Sequence, residues 1–417
     1  MLVLFLIFSL SNQAQVRVNI KGNTPQPIFH NAVCEGYLED MPFIFSFGGK
    51  TELIDQAADN FRYNALTGEI NLLPPFPDGY PVYKAKACLV GDIVFVLTGT
   101  RGDSINQMVY RYDQKKHVFL SDGEAIPTPV TQNGLAKYRD SLIFIVGGQT
   151  AKGATNKVQV YNPVFDHWRS ASPLPKMVNE FKEAHFSAVF VQDTLNVLAQ
   201  LDNGDGIRQH LFTAVLDGQN LNELQWMNQP LQDSMVLMPP IIATSVRNEA
   251  HWMGIAREQA VEDGAHFIDF TLQDKGSLAN LYKLENIPGF INSIARISDT
   301  IQFLCGGLYP GGEISNEVIM LTWTNLGHGV VEKIKSDRRF YLYPNPCQGK
   351  LRIQSVRRDL EALGIEVFDM QGKKLLNKKI RDPNERISLE SFADRAFIVR
   401  IFDNEGNYYV DKILKTY

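Results

Sequence analysis

The chain has 417 residues, 44% of them hydrophobic and 21% charged, and a formal net charge of −5. That length exceeds the usual size of one core and points to two domains or a large closed β fold. Residues 331–417 carry 18 Lys and Arg against 13 Asp and Glu, net +5, so the preceding residues stand at −10. The sign change places an expected boundary near residue 330, and the acidic main body argues against a nucleic-acid surface, which needs a basic stripe to displace counterions.

The first residues, MLVLFLIFSLSNQAQ, are apolar from Met1 to Leu10 and then small and polar. The run is too short to cross a bilayer, which takes about 20 apolar residues. It has the length of a signal-peptide hydrophobic region, although no basic residue precedes it, and residues 1–14 are read as a signal peptide. No later segment is apolar for long enough to span a membrane. Next, QVRVNI (Gln15 to Ile20) reads as a lone strand followed by Pro25 and Pro27.

From there a repeat dominates. FIFSFGG ends at Gly49, VFVLTG at Gly99, IFIVGG at Gly148, NVLAQ at Gln200, HWMGIA at Ala256 and IQFLCGG at Gly307, so the spacings are 50, 49, 52, 56 and 51 residues. A second landmark follows in the first three units: YNALTGEI from Tyr63, YDQKKHVF from Tyr112 and YNPVFDHW from Tyr161. In each, an Asn or Asp can bond the backbone of a tight turn, and the aromatic can pack on the large apolar residue seven positions later. Proline-rich exits come next, LLPPFP at Leu72–Pro77 and SPLPK at Ser172–Lys176.

A glycine pair at a strand end, then Tyr-Asn/Asp, then Trp, at this period resembles the kelch repeat of β-propellers, most closely from Gly134 to Pro175. Units four and five lack the glycine pair and keep only the strand rhythm. The resemblance implies an all-β fold, a six-bladed kelch-like propeller over residues 15–326, because one four-stranded blade must stack on neighbours to bury its faces. Unit six ends after NEVIMLTWTN without a fourth strand, so Gln15–Ile20 is expected to complete the last blade.

A polar linker, 327–339, leads to FYLYPNPCQGKLRIQS. Pro344 and Pro346 restrict φ, Asn345 tolerates turn geometry, and Gly349 admits the next strand. Alternating runs follow (IEVF, RISL, AFIVRIF), with hairpins expected at Met370–Gly372 and Asn404–Gly406, giving a small antiparallel β-sandwich of about seven strands. The order Tyr343-Pro344-Asn345-Pro346, Gly349, VFDMQGK, ISL and a terminal KILK resembles the type A C-terminal sorting domain, although the family's Gly-x-Tyr reads Arg395-Ala396-Phe397 here. The resemblance implies that residues 340–417 are an export address read by the type IX secretion machinery of Bacteroidota. The chain would then reach the medium or the outer cell surface by way of the periplasm.

For the propeller, a fold of this kind does not fix a function. Copper oxidase chemistry of the galactose-oxidase kind needs paired His ligands, and the eight histidines are scattered. No metal or cofactor is expected. NEFKEAHF brings Glu180, Glu183 and His185 to the start of unit four, and HWMGIARE brings His251, Arg257 and Glu258 to unit five. Such groups could form a general acid–base site, as in the six-bladed kelch sialic-acid mutarotases, with Glu180, His185 and Arg257 as the catalytic candidates. The competing and favoured reading is a binding module whose loops, with Tyr309 among them, recognise a protein or glycan. Arg101-Gly102-Asp103 is an adhesion tripeptide, but it is also what a polar propeller loop needs. Cys34, Cys88, Cys305 and Cys347 show no zinc spacing and sit in apolar runs. Cys34 and Cys88 fall at similar places in successive repeats, where a bridge could form.

Overall fold

The computed structural model describes residues 15–415 except 40, 52–57, 217–219, 232–234, 259–264, 273–277, 325–339, 356–361, 370–373, 381–385, 394–395 and 404–407. The expected signal peptide, the linker and the two tail hairpin turns therefore lie outside the described residues.

Among the described residues there are six four-stranded antiparallel sheets in the propeller region, one for each repeat. Their innermost strands begin at Ala32, Lys86, Gly134, Glu183, Met235 and Ala295. In the first five the strands follow chain order outward. The sixth runs Ala295–Arg296, Ile301–Leu308, Ile314–Thr324 and then Gln15–Asn23, so the lone N-terminal strand supplies the missing outer strand. Its register starts at Gln15 opposite Thr324 and ends at Asn23 opposite Glu317.

Six apolar cores join these sheets in sequence. Phe45 and Phe47 of the first sheet meet Val96 and Tyr112 of the second. Leu97 and Val109 meet Tyr161 and Trp168 of the third, and Phe144 and Val160 meet Phe186 and Phe212 of the fourth. Leu198 then packs with Trp252 and Phe270, Ile255 and Phe267 with Ile319 and Trp323, and Phe303 and Val318 with Phe61 and Tyr63 of the first sheet. The sixth core leads back to the first sheet, so the array is a closed ring. Closure matters because each blade's two apolar faces are then covered and no blade is left as an end cap.

The glycine pairs have a steric cause. Gly48 and Gly49 have φ of +60° and +93°, and Gly306 and Gly307 have +67° and +121°. A Cβ on Gly48 would stand 2.2 Å from the Val82 carbonyl oxygen of the next sheet. The second glycine's amide donates across the blade boundary: Gly49 to Val82 O (2.9 Å), Gly99 to Val130 O (3.1 Å) and Gly307 to Ile28 O (2.7 Å). The Asx turns are also present. Asn64 Oδ1 accepts from the amides of Leu66 and Thr67, Asp113 Oδ1 from those of Lys115 and Lys116, and Asn162 Oδ1 from those of Val164 and Phe165. The residues seven apart are direct cross-strand partners, with ring centroids 5.3 Å apart for Tyr112 and Phe119 and 4.9 Å for Tyr161 and Trp168.

The tail forms two further sheets. Phe340–Tyr343, Lys350–Ser355 and Arg386–Ser388 face Lys374–Lys379, Ala362–Phe368, Ala396–Asp403 and Tyr408–Leu414. Their common core holds Phe340, Leu351, Ile353 and Ile387 from one side and Ile365, Val367, Val399 and Ile401 from the other. This is the expected antiparallel sandwich. Gly349 takes φ +85° at the entry to the second strand, close against Glu390. Lys415 ties the end of the chain down by donating to the carbonyls of Leu389 and Phe392. Cys34 and Cys88 are free, buried thiols that pack into different inter-sheet cores, Cys34 between the first and second sheets and Cys88 between the second and third.

Candidate functional site

The inner strands all begin at one end of the ring, and the approach to them has a shared geometry. Two residues before the inner strand of the first, second and third sheets stand His30, Lys84 and Gln132, with φ of +58°, +54° and +55°. This left-handed kink is unusual for non-glycine residues. It is held by bonds between neighbouring entries, the Lys84 amide on His30 O (2.9 Å) and the Phe186 amide on Gln132 O (2.8 Å).

Sheet six is drawn into the same place by Asn292. Its side-chain amide donates to Ala85 O (2.6 Å) and Asn31 O (3.3 Å), while Lys86 Nζ donates to its carbonyl. Ser293 Oγ donates to Asn31 O at 3.1 Å. Lys50, at the end of the glycine turn, bridges Phe29 through the backbone and holds its ammonium 4.6 Å from the Tyr83 ring centroid.

The electrostatics of this end are one-sided. Burial, and after it the charges of Lys84, Lys50 and Lys86, lowers the His30 pKa to about 3. His185, at the start of the fourth sheet's inner strand, is lowered to about 4 by burial and by Lys84 and Lys86. Burial brings Lys86 down to about 8, and burial with the neighbouring Lys50 lowers Lys84. Among the described residues Lys84 and Lys86 form no salt bridge, and the His30 Nδ1 is a buried nitrogen without a hydrogen-bond partner. Further along the inner strands the balance is restored: Lys137 reaches Glu35 (3.9 Å) and Asp140 (3.5 Å).

The residues proposed from the sequence are distributed as follows. Glu180 closes the short 3-10 turn Lys176–Glu180 on the approach to the fourth sheet and is exposed. Glu183 begins that sheet's inner strand, also exposed, and His185 is partly buried two residues on. No hydrogen bond or ion pair among the described residues joins Glu180 to His185. Arg257 lies near the end of the strand Glu249–Glu258, opposite Val236, and its side chain, like that of Glu258, lies outside the described residues. The topology puts all three candidates at the end of the ring where inner strands begin.

His251 is elsewhere, inside the joint between sheets five and six. Its ring contacts Asp269 (2.9 Å), which also accepts the Trp323 indole proton (2.7 Å), so it serves packing. Tyr309 donates to Glu317 at 3.0 Å and is partly buried. In the adhesion tripeptide, Gly102 and Asp103 are exposed, but Arg101 folds back onto Asp78 (2.7 Å) and the Tyr80 ring. No group of three or more His, Cys, Asp or Glu that could hold a metal is found among the described residues. Sequence reasoning missed His30, Lys50, Lys84 and Lys86. The available signal was their placement just before the inner strands or just after the glycine pair.

Comparison with known proteins bears on both regions. Residues 139–175 match the kelch motif, and residues 341–416 match the secretion system C-terminal sorting domain. None of the curated proteins is a detectable sequence relative. Among solved structures, that of YjhT superposes with a TM-score of 0.54 at 12% identity, covering 73% of this chain and 99% of its own. That likeness shows the fold alone. The ring is thus a kelch-type propeller, and the tail marks a type IX secreted or cell-surface protein. No helix among the described residues is long and apolar enough to cross a membrane.

Proposed function

We propose that this chain is an exported propeller that binds a protein or glycan outside the cell, with residues 15–326 as a six-bladed ring, 327–339 as a linker and 340–417 as the export address. On this reading residues 1–14 are the signal peptide, and Tyr343, Pro344, Asn345, Pro346 and Gly349 open the segment that the secretion machinery reads. The observation that supports binding is the crowding of half-buried donors from three sheets at one end of the channel, where Asn292, Lys86 and His30 meet. Polar groups gathered in a concavity are what fixes a ligand's orientation.

A second reading is a carbohydrate-active propeller such as a sialic-acid mutarotase. It draws on the placement of Glu180, His185 and Arg257 at that same end of the ring. Purified secreted protein separates the two in a panel of glycans and extracellular proteins run beside a sialic-acid anomerisation assay. Binding without acceleration is expected. Anomerisation above the uncatalysed rate that falls in Glu180→Gln and His185→Ala would replace the binding reading with the enzymatic one.

A further inference from the structure

The entry cluster brings together cations from three sheets: His30 and Lys50 from the first, Lys84 and Lys86 from the second, and His185 from the fourth. The charges acting on these two histidines and on Lys84 are those of the cluster itself. No carboxylate takes the part that Glu35 and Asp140 take for Lys137 a few residues along the channel. Like charges held together in partly desolvated surroundings cost free energy unless something of opposite sign joins them. The backbone does not relieve this, because the carbonyl of Asn292 occupies only one of the three donor protons of Lys86. The His30 Nδ1 is buried with no partner at all.

We propose that this constellation is the seat of an oxyanion carried by the ligand, so that the propeller recognises an acidic saccharide, carboxylated or sulfated, in preference to a neutral one. The inference rests on the binding reading above. Lys84 and Lys86 supply point charges with rotatable donors, which suit a carboxylate or sulfate approached from several directions. The walls of the channel entry concentrate their field on the ligand. His30 and His185 are neutral at pH 7 and can each donate one N–H. A bound oxyanion favours their protonated forms, so binding takes up protons and tightens on acidification. The groups facing His30 in this linkage are Lys84, Lys50 and Lys86, and those facing His185 are Lys84 and Lys86.

The test uses the full secreted chain and three saccharide series: an oligogalacturonate, a sulfated galactan oligomer and a neutral galactan oligomer of matching length. Inorganic sulfate serves as a probe that needs no glycan contact, read by the imidazole resonances of His30 and His185. Either acidic series should bind about tenfold or more tightly than the neutral one. Lys84→Gln should remove most of that preference and Lys84→Arg restore it, and sulfate should raise both histidine pKa values in the wild type but not in Lys84→Gln. Preference for the carboxylated or the sulfated series identifies the source of the oxyanion. Equal binding of neutral and acidic series, unchanged by Lys84→Gln, overturns the inference while leaving the binding reading intact. If no saccharide or protein binds, the binding reading falls. The sulfate titration then still judges the cation site, and unmoved histidine resonances overturn it.

Discussion

The first and fourth sheets perform the same task with different chemistry. In the first, the strand Met41–Phe47 ends in a glycine pair, and the backbone amide of Gly49 donates to Val82 O of the next sheet. In the fourth, Gln200 holds the place of that glycine in the repeat, fully buried within the strand Thr194–Asp202. Its side-chain Nε2 donates to Leu237 O of the next sheet at 2.6 Å. The fourth sheet therefore keeps its strands straight and long, nine residues in each of the first three, where the first sheet turns sharply. What persists around the ring is a donor delivered to the neighbouring blade, and the residue type that delivers it can change.

This contrast can be broken at either end. Gly48→Val should have the largest effect, because it places a branched side chain at φ +60° with its Cβ 2.2 Å from a backbone oxygen that cannot retreat. A loss of about 4 kcal/mol or more in urea-induced unfolding is expected. Gln200→Leu should cost less, about 1–2 kcal/mol, since it leaves the Leu237 carbonyl with only the longer bond from Gln209 at 3.4 Å. A neutral result at Gln200 would show that its amide does not replace the glycine's. The smallest effect separates the second sheet from the first and third, whose Asx turns use Asn64 and Asn162. Bonds from the Lys116 and Lys115 amides hold Asp113 below its ordinary 3.8, so the fold favours its charged form. That stability is present above pH 3.8 and is lost as the pH falls through the lower folded value. Asp113→Asn should flatten this part of the acid limb in a pH series of thermal melts, with little change at neutral pH.

The legible parts of the fold were local. A glycine pair reports a backbone angle, an Asx turn reports a bond to a residue two or three positions on, and Tyr161 with Trp168 reports a hairpin, so sheets one to three could be read directly. The YPNP turn and strand rhythm of the tail were legible for the same reason. The devices in the fourth and fifth sheets join distant residues, such as Gln200 with Leu237 or Thr244 with Gln302, and an isolated Gln or Thr carries no such signature. The candidate site was obscured in the same way. YKAKAC reads as the ordinary polar lead-in to a strand, and only the closed ring brings Lys86 to Asn292, 206 residues away. Glu180, His185 and Arg257 were found because their types suggested chemistry, while the lysines looked like solvated charge.

The strand that seals the ring also sets how the ring would yield to force. Gln15 lies opposite Thr324, so the two chain ends leaving the sixth sheet depart side by side. Tension between them loads this first pair alone and then the next, peeling the seam like a zip, whereas a parallel seam would share the strain across all its bonds at once. A machine that draws on the segment after Thr324 while the N-terminal side is restrained would meet low mechanical resistance there, however stable the closed ring is at rest.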